Sequence, residues 1–195
     1  DKGFYGFGND LEYKIPNAIL LRKSILYNDK EYLLGTSGGV FKWKFDENKI
    51  SVIRNSSKLS IFSIYNENSQ NFFFGTSNGI YKLNSDSLVK FNFNKQNIND
   101  PIYFIVQDSV KNFWLGTNNG VLKWDGNILK RYNKSDGLAG NETNRAAGFV
   151  DNKGNVWIGT DEGVSLYYGH EPDYSTFPPK VMLLDIKDHH NSSYS

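Results

Sequence analysis

The sequence predicts an all-β protein built from repeated four-stranded units, and three observations support this. First, the pattern Gly-Thr-x-x-Gly occurs four times, and the steps between its first glycines are 40, 41 and 43 residues. Second, the residues of each copy are typical of the end of a strand, a tight turn and a return strand. Third, no segment keeps helical periodicity beyond one or two turns. A period of about 40 to 45 residues is typical of β-propeller blades. The motif glycines are Gly35, Gly75, Gly116 and Gly159.

The residues around each motif predict its local geometry. We expect Asn78-Gly79 and Asn119-Gly120 to form the central pairs of type I′ turns, in which both residues need positive φ. Glu162-Gly163 fits such a turn less well, because glutamate rarely adopts positive φ. The first glycine of each motif lies inside a strand pattern, which predicts a close backbone approach or a bulge.

Alternating apolar and polar runs predict the strands of four blades. Residues 1–17 are harder to place: Gly6 can be aligned with the motif glycine, but the step of 29 residues to Gly35 is too short for a blade. This stretch is either part of a degenerate blade or an unrelated strand. The predicted strands are 24–27, 32–36, 40–45 and 50–54; 61–65, 71–76, 80–83 and 88–93; 102–107, 113–117, 121–124 and 128–132; and 146–150, 156–160 and 164–168.

The end of the chain predicts a change of domain. We assign 1–171 to propeller repeats and 172–179 to a linker, in which Pro178 and Pro179 restrict the backbone. Residues 180–195 read as one more strand and a polar tail. A lone strand needs a partner, so we expect it to begin a further β-sandwich domain.

Composition excludes several classes of function. The 195-residue chain carries a net charge of +1, which does not favour binding to nucleic acid or to an acidic membrane surface. It has no cysteine, so disulfides and thiol chemistry are excluded. No run of about 18 apolar residues predicts a membrane span. The first residues lack signal-peptide character, so we expect either a cytosolic protein, or a mature or excised piece of a longer one.

One string of residues resembles a known family. Asp136-Gly137-Leu138, Asn141-Glu142 and the segment 151–164 are similar to the two-component regulator propeller repeat. The resemblance spans about residues 20 to 186 and implies the periplasmic sensor of a bacterial histidine kinase, with more blades than four in the ring. Pro178 to Val181 resembles the start of the β-sandwich that follows such propellers. The repeats also differ from one another, since Leu33-Leu34 stands where the last copy has Trp157-Ile158.

A search for catalytic residues is mostly negative. The three histidines are His170, in the linker, and His189 and His190, in the polar tail. No metal-ligand spacing, nucleophile set or phosphate-binding loop is present, so we expect no cofactor, no metal and no enzymatic activity. Asp108 and Asp151 lie at predicted turns, where aspartate commonly forms local hydrogen bonds.

Two repeated columns of residues have alternative interpretations. Lys42, Lys82 and Lys123 occupy one repeat position and either bind acidic sugars or, as we favour, pack their stems between blades. Trp43 and Trp124 share another position, where packing between blades is favoured over sugar stacking.

The order of strands in a blade narrows the ligand site. The loop from an outer strand to the next inner strand lies at the same end as the second hairpin turn. The loop Asp136–Arg145 therefore shares one face with the turns at Asn119 and Asp161. Asn144 and Arg145 enter the inner strand and are the best candidates, because arginine binds carboxylate or sulfate and asparagine binds hydroxyls. Asn141 completes the candidate ligand-binding set. Alternatively, Arg145 only pairs with Glu142 or Asp161.

The resemblance motivates a functional hypothesis, whereas the repeat alone supports only the fold. We expect an extracytoplasmic propeller that binds an oligosaccharide and regulates a kinase, and through it the transcription of utilisation genes. Its partners would be the ligand, further blades, the β-sandwich and possible second copies in a homodimer. The alternatives are a protein-interaction scaffold and a propeller lyase or other glycan-active enzyme.

Overall fold

The computed structural model of the protein describes residues 20–47, 49–94 and 96–169, together with two short paired strands near the start of the chain. These strands are β1 (Phe4–Tyr5) and β2 (Glu12–Tyr13), and they are antiparallel. Residues 170–195 lie outside the described residues. They include the predicted linker, the predicted strand of the β-sandwich and the three histidines. No helix in the described part is long and apolar enough to cross a membrane.

The remaining strands form four sheets. The first contains β3 (Leu21–Asn28), β4 (Glu31–Thr36), β5 (Gly39–Lys44) and β6 (Lys49–Val52). The second contains β7 (Ile61–Asn68), β8 (Asn71–Thr76), β9 (Gly79–Asn84) and β10 (Ser87–Lys90). The third contains β11 (Phe104–Gln107), β12 (Phe113–Gly116), β13 (Val121–Trp124) and β14 (Leu129–Tyr132). After a 3₁₀ turn at Lys134–Asp136, the fourth contains β15 (Thr143–Val150), β16 (Val156–Thr160) and β17 (Gly163–Tyr167).

Each sheet is an antiparallel meander in chain order, with four strands in the first three sheets and three described strands in the last. The first strand of each sheet contacts the first strand of the next, from β3 through β7 and β11 to β15. These four strands are therefore the inner strands of propeller blades. The prediction of an all-β propeller with four repeats is confirmed.

The hydrophobic core is divided among the contacts between neighbouring blades. Leu33 and Val40 of the first blade pack with Ile61 and Phe74 of the second. A second cluster joins the second blade to the third, and a third cluster joins the third to the fourth. Each blade is thus stabilised by apolar surface that it shares with its neighbours.

The first glycine of each motif allows these blades to approach closely. A Cβ atom on Gly75 would lie 2.5 Å from the carbonyl oxygen of Ile102 in the third blade. On Gly116 it would lie 2.6 Å from the Thr143 hydroxyl in the fourth blade. Real Cβ atoms do not tolerate such distances, so the predicted close approach is confirmed.

The prediction of type I′ turns is wrong. Thr76 pairs with Gly79 across the turn, so Ser77 and Asn78 are the two turn residues. Only Gly79 has positive φ, at 86°, and Asn78 does not. A turn followed by a left-handed glycine is the pattern of a bulged hairpin loop. Glu162 fits the equivalent place because that place does not require positive φ.

The threonine of the motif explains why this turn forms. The buried Thr76 hydroxyl accepts a hydrogen bond from the Asn78 backbone N–H at 3.0 Å and donates one to the Gly79 carbonyl at 2.9 Å. Thr36, Thr117 and Thr160 make the same two bonds in the other blades. A hydroxyl is needed here because it both donates and accepts.

We expect Thr76→Val to lower the free energy of unfolding by about 1–2 kcal/mol, because the buried Gly79 carbonyl loses its donor and the part-buried Asn78 N–H loses its acceptor. Thr76→Ser retains the hydroxyl and is the matched control. Denaturant titration of both variants measures the difference. Equal destabilisation by valine and serine would contradict the role of the hydroxyl.

Candidate functional site

One residue at the beginning of each inner strand points to a candidate site. These residues are Arg22, Phe62, Tyr103 and Arg145, and we call them the inner-strand cluster. The register of the first two blades shifts at Arg22 and at Phe62, and that of the fourth shifts between Thr143 and Gly148. Such bulges turn a side chain away from the regular ladder.

The cluster brings together residues from all four blades. The guanidinium carbon of Arg145 lies 4.7 Å from the centre of the Phe62 ring and 5.8 Å from that of Tyr103. The guanidinium carbon of Arg22 lies 4.7 Å from the same Phe62 ring. The Phe62 and Tyr103 rings meet edge to face, with centres 5.3 Å apart. These side chains therefore converge where the inner strands begin.

The inner-strand cluster contains two positively charged side chains. Among the described residues, no ion pair involves Arg22 or Arg145. The Nε and Nη1 atoms of Arg22 are buried and have no hydrogen-bond partner in the described part of the chain. Desolvation lowers the pKa of the Arg22 guanidinium, and the positive charge of Arg145 lowers it further. Both effects oppose keeping a charged group here.

The Tyr103 hydroxyl of the cluster has two charged neighbours, Glu142 and Arg145. Burial raises the pKa of the Tyr103 hydroxyl, and the neighbouring Glu142 carboxylate raises it further. Tyr103 therefore stays protonated at neutral pH and is available to donate or accept hydrogen bonds.

The sequence-predicted residues lie at this end of the blades, but they have different surroundings. Arg145 is exposed and belongs to the inner-strand cluster. The Asn144 amide donates to the Thr160 carbonyl at 2.9 Å and so ties β15 to β16. The Asn141 side chain accepts a hydrogen bond from the Lys134 backbone at 3.0 Å, within its own loop.

The other two predicted residues contribute their backbones to the turns. The Asn119 carbonyl accepts a hydrogen bond from the Arg131 guanidinium. The Asp161 backbone N–H donates to the Glu142 carbonyl at 3.0 Å. Of the five predicted residues, only Arg145 is brought into the inner-strand cluster by a contact that the structure describes.

Sequence reasoning missed Arg22, Phe62 and Tyr103, although a signal was available. Each of the three lies 13 residues before the glycine of its motif, and Arg145 lies 14 residues before its own. Aligning the four repeats on that glycine would have placed all four residues in one column.

The lysine column lies on the third strands of the blades, apart from the cluster. Lys42 contacts Asp86 of the second blade at 2.6 Å. The Lys82 ammonium lies 5.6 Å from the centre of the Phe73 ring. The Lys123 ammonium lies 2.9 Å from the Tyr167 hydroxyl of the fourth blade. These contacts support the interpretation that the lysine stems pack between blades.

The two tryptophans of the other column also contact aromatic neighbours. The Trp124 ring centre is 4.8 Å from that of Phe93 in the second blade, which is packing between blades. The Trp43 ring is 5.9 Å from Tyr32 of its own blade.

A groove of about 540 Å³ lies at the outer side of the first and second blades, and its charged residues are largely paired. Lys42 contacts Asp86, and Lys44 contacts Glu47. Since opposite charges within the groove already neutralise one another, it offers less for a charged ligand than the inner-strand cluster does.

Two aspartates have a structural role that repeats between blades. The Asp108 carboxylate accepts hydrogen bonds from the Trp114 indole at 2.9 Å and from the Asn112 amide at 2.8 Å. Asp151 makes the same bonds with Trp157 and Asn155, at 3.1 and 3.0 Å. These are the local hydrogen bonds expected of aspartates at turns.

The outer face of the fourth blade is exposed. Trp114 of the third blade is 1% exposed because Val156 and Ile158 of the fourth blade pack in the same cluster. Trp157, at the equivalent position of the fourth blade, is 40% exposed, and Phe149 beside it is 62% exposed. This face has the chemistry of a surface between blades.

Comparisons with known proteins support the fold. No protein-family model matches the sequence, and no curated protein matches it. The extracellular domain of BT4673 from B. thetaiotaomicron, named as a one-component system, is 21% identical with a TM-score of 0.66, over 80% of this chain and 23% of that chain. The extracellular domain of BT3049 from the same organism, named as a hybrid two-component system, is 20% identical with a TM-score of 0.59, over 74% of this chain and 19% of that chain.

An enzyme is also similar. Virginiamycin B lyase from Staphylococcus aureus is 13% identical with a TM-score of 0.57, over 81% of this chain and 59% of that chain. At these identities the similarities show the propeller fold alone. The chain spans less than a quarter of the length of the two extracellular domains.

We expect acid to weaken the fourth blade through Asp151. Hydrogen bonds to its carboxylate lower the pKa of Asp151 from 3.8 to about 2, and the largest effect comes from the Trp157 indole. The stabilisation is therefore complete above about pH 4 and is lost as the pH falls towards 2. The melting temperatures of the wild type and of Asp151→Asn, measured across this range, should converge at the acid end. A difference that stays constant with pH would contradict the role of the carboxylate. Trp157→Phe removes the indole donor and should show part of the same change.

We expect Ala146→Gly to stabilise the protein by about 1 kcal/mol, because alanine is strained in the left-handed region. Ala146 follows Arg145 directly and has a φ of 56°. Ala147→Gly is the control; its φ is not positive, so the added chain entropy should cost about 0.5–1 kcal/mol. Unfolding curves for both variants give the free energies. If both substitutions destabilise alike, the strain is not present in solution.

Proposed function

We propose that this chain is part of the extracytoplasmic propeller of a bacterial two-component sensor, and that it binds an oligosaccharide at the inner-strand cluster. This proposal rests on one observation: four blades each contribute one side chain to the cluster, namely Arg22, Phe62, Tyr103 and Arg145. Aromatic rings and polar donors are the groups that commonly line ligand sites. The fold likeness to the extracellular domains of BT4673 and BT3049 supports the sensor context.

The proposal extends to the rest of the parent protein. The exposed Trp157 face of the fourth blade supports packing against a further blade, as in the longer chains that this one partly covers. The β-sandwich would follow the propeller and lead towards a kinase on the other side of the membrane. Two copies would act together as a homodimer, and the output would be transcription of genes for using the sensed sugar.

Signalling requires the ligand to distinguish two states of the sensor. A ligand that binds both states equally cannot shift their balance. Coupling energies between such sites are typically about 1–3 kcal/mol, which corresponds to roughly 5- to 150-fold in affinity. A cluster assembled from four blades can provide this difference, because any relative movement of the blades changes the distances between its members.

The same exposed face favours one alternative, an interaction scaffold. Phe149, Trp157 and Val164 form an apolar surface on which another protein could pack. The enzyme alternative is supported by the likeness to the lyase. However, no group of three or more metal-binding side chains occurs within the described ranges, and the cluster does not contain paired carboxylates.

The test is the response of the whole parent kinase to a panel of oligosaccharides. Membranes containing the wild type should show autophosphorylation that depends on one member of the panel. Asn144→Ala combined with Arg145→Ala should raise the half-maximal concentration at least tenfold, because the cluster loses a cation and β15 loses its tie to Thr160. Lys153→Ala, in the turn at the other end of β15, is the control and should respond as the wild type does.

Two results would count against this proposal. No response to any oligosaccharide would refute the sensing role. An unchanged response in the double variant would refute the proposed binding site but not the proposed sensor function.

A further inference from the structure

The two arginines of the inner-strand cluster share one aromatic ring. Each guanidinium carbon lies 4.7 Å from the centre of the Phe62 ring. The two guanidinium groups therefore share one neighbour, and the exposed Arg145 side chain has room to adjust its position. The positive charge of Arg145 acts unfavourably on Arg22, so the arrangement costs free energy that a bound anion would offset.

The propeller fold does not need arginine at these positions. The second and third blades have Phe62 and Tyr103 in the same column, and both contribute ring packing instead of charge. In the first blade, the buried Nε and Nη1 atoms of Arg22 lack a partner within the described residues. Unpaired buried donors usually cost about 1–3 kcal/mol or more when charged. The contact with the Phe62 ring accounts for the position of the guanidinium but leaves these two donors unsatisfied.

The donors of this cluster define the ligand chemistry. Guanidinium groups bind the oxygens of carboxylate and sulfate through paired hydrogen bonds. The Tyr103 hydroxyl and the Glu142 carboxylate lie beside Arg145 and can bind sugar hydroxyls. Because Glu142 is itself negative, the anionic group of a ligand would lie on the Arg22 side. The Tyr103 ring adds apolar surface for the C–H face of a sugar, whereas the Phe62 ring is in contact with the two guanidinium groups.

We propose that Arg22 and Arg145 together bind the carboxylate or sulfate group of an acidic saccharide, with Phe62 positioning the two guanidinium groups and Tyr103 contacting the sugar ring. This rests on the proposed function for the saccharide, but the anion site itself follows from the two arginines. It adds Arg22 as a binding residue and narrows the ligand from oligosaccharides in general to acidic ones.

The test compares acidic and neutral sugars on the 195-residue chain. Thermal unfolding is followed at constant ionic strength with glucuronate, with glucose and with inorganic sulfate. A ligand that binds only the folded state raises the melting temperature, and at a fixed concentration the shift grows with the logarithm of its affinity. Glucuronate should raise it and glucose should not. Arg22→Lys keeps the charge but loses the paired donors, and it should reduce the affinity for glucuronate at least tenfold.

A second variant separates binding from folding. Arg22→Tyr introduces the residue of the equivalent position in the third blade. It should abolish the response to glucuronate while raising the melting temperature of the free protein, because a buried charge is removed. Lys153→Gln, which removes one positive charge from the turn between β15 and β16, is the control and should keep the full response.

Several outcomes would overturn the inference. They are equal shifts with glucuronate and glucose, an Arg22→Lys variant that responds as the wild type does, and a response to sulfate without one to glucuronate. A parent kinase that responds only to neutral oligosaccharides, with no effect of Arg22→Lys, would overturn the acidic ligand but keep the sensor. Binding of glucuronate without any kinase response would overturn the proposed sensor function but keep the anion site.

Discussion

Close packing of one blade on the next is the constraint on which this structure depends. A blade is a thin sheet, and neither of its faces is buried until another blade covers it. The first glycine of each motif sets the distance, because at Gly75 and Gly116 even one methyl group would collide with the following blade. The apolar clusters between blades form at that distance. The inner strands are drawn together as a result, and the residues at their beginnings meet at one end.

Most of the fold could be predicted from the sequence because the same motif and strand pattern occur in every blade. Four copies of a motif at steps of 40 to 43 residues specify the blades, and the strand patterns place their edges within a few residues. The turn type was wrong because the pair Asn-Gly was read without the preceding threonine. The Thr76 hydroxyl holds Ser77 and Asn78 in a different turn, which a dipeptide rule does not include.

The candidate site was predictable only in part. Arg145 could be predicted as a site residue because the strand order places the loop before it at the same end of the blade as the second hairpin turn. Arg22 and Phe62 were missed because each is unremarkable within its own repeat. Their association exists only across blades, through the shared Phe62 ring. A contact of this kind has no local pattern, although the column of residues before each motif glycine could have indicated it.

The exposed face of the fourth blade has a consequence for how ligand binding and stability are linked. The second and third blades have described neighbours on both sides, whereas the fourth shares its apolar cluster with the third blade only, within the described residues. In a series with contacts between neighbours, opening costs least at the ends. Arg22 belongs to the first blade and Arg145 to the fourth. An anion bound to both would join the two ends of the series, so that local opening of a terminal blade would require release of the ligand.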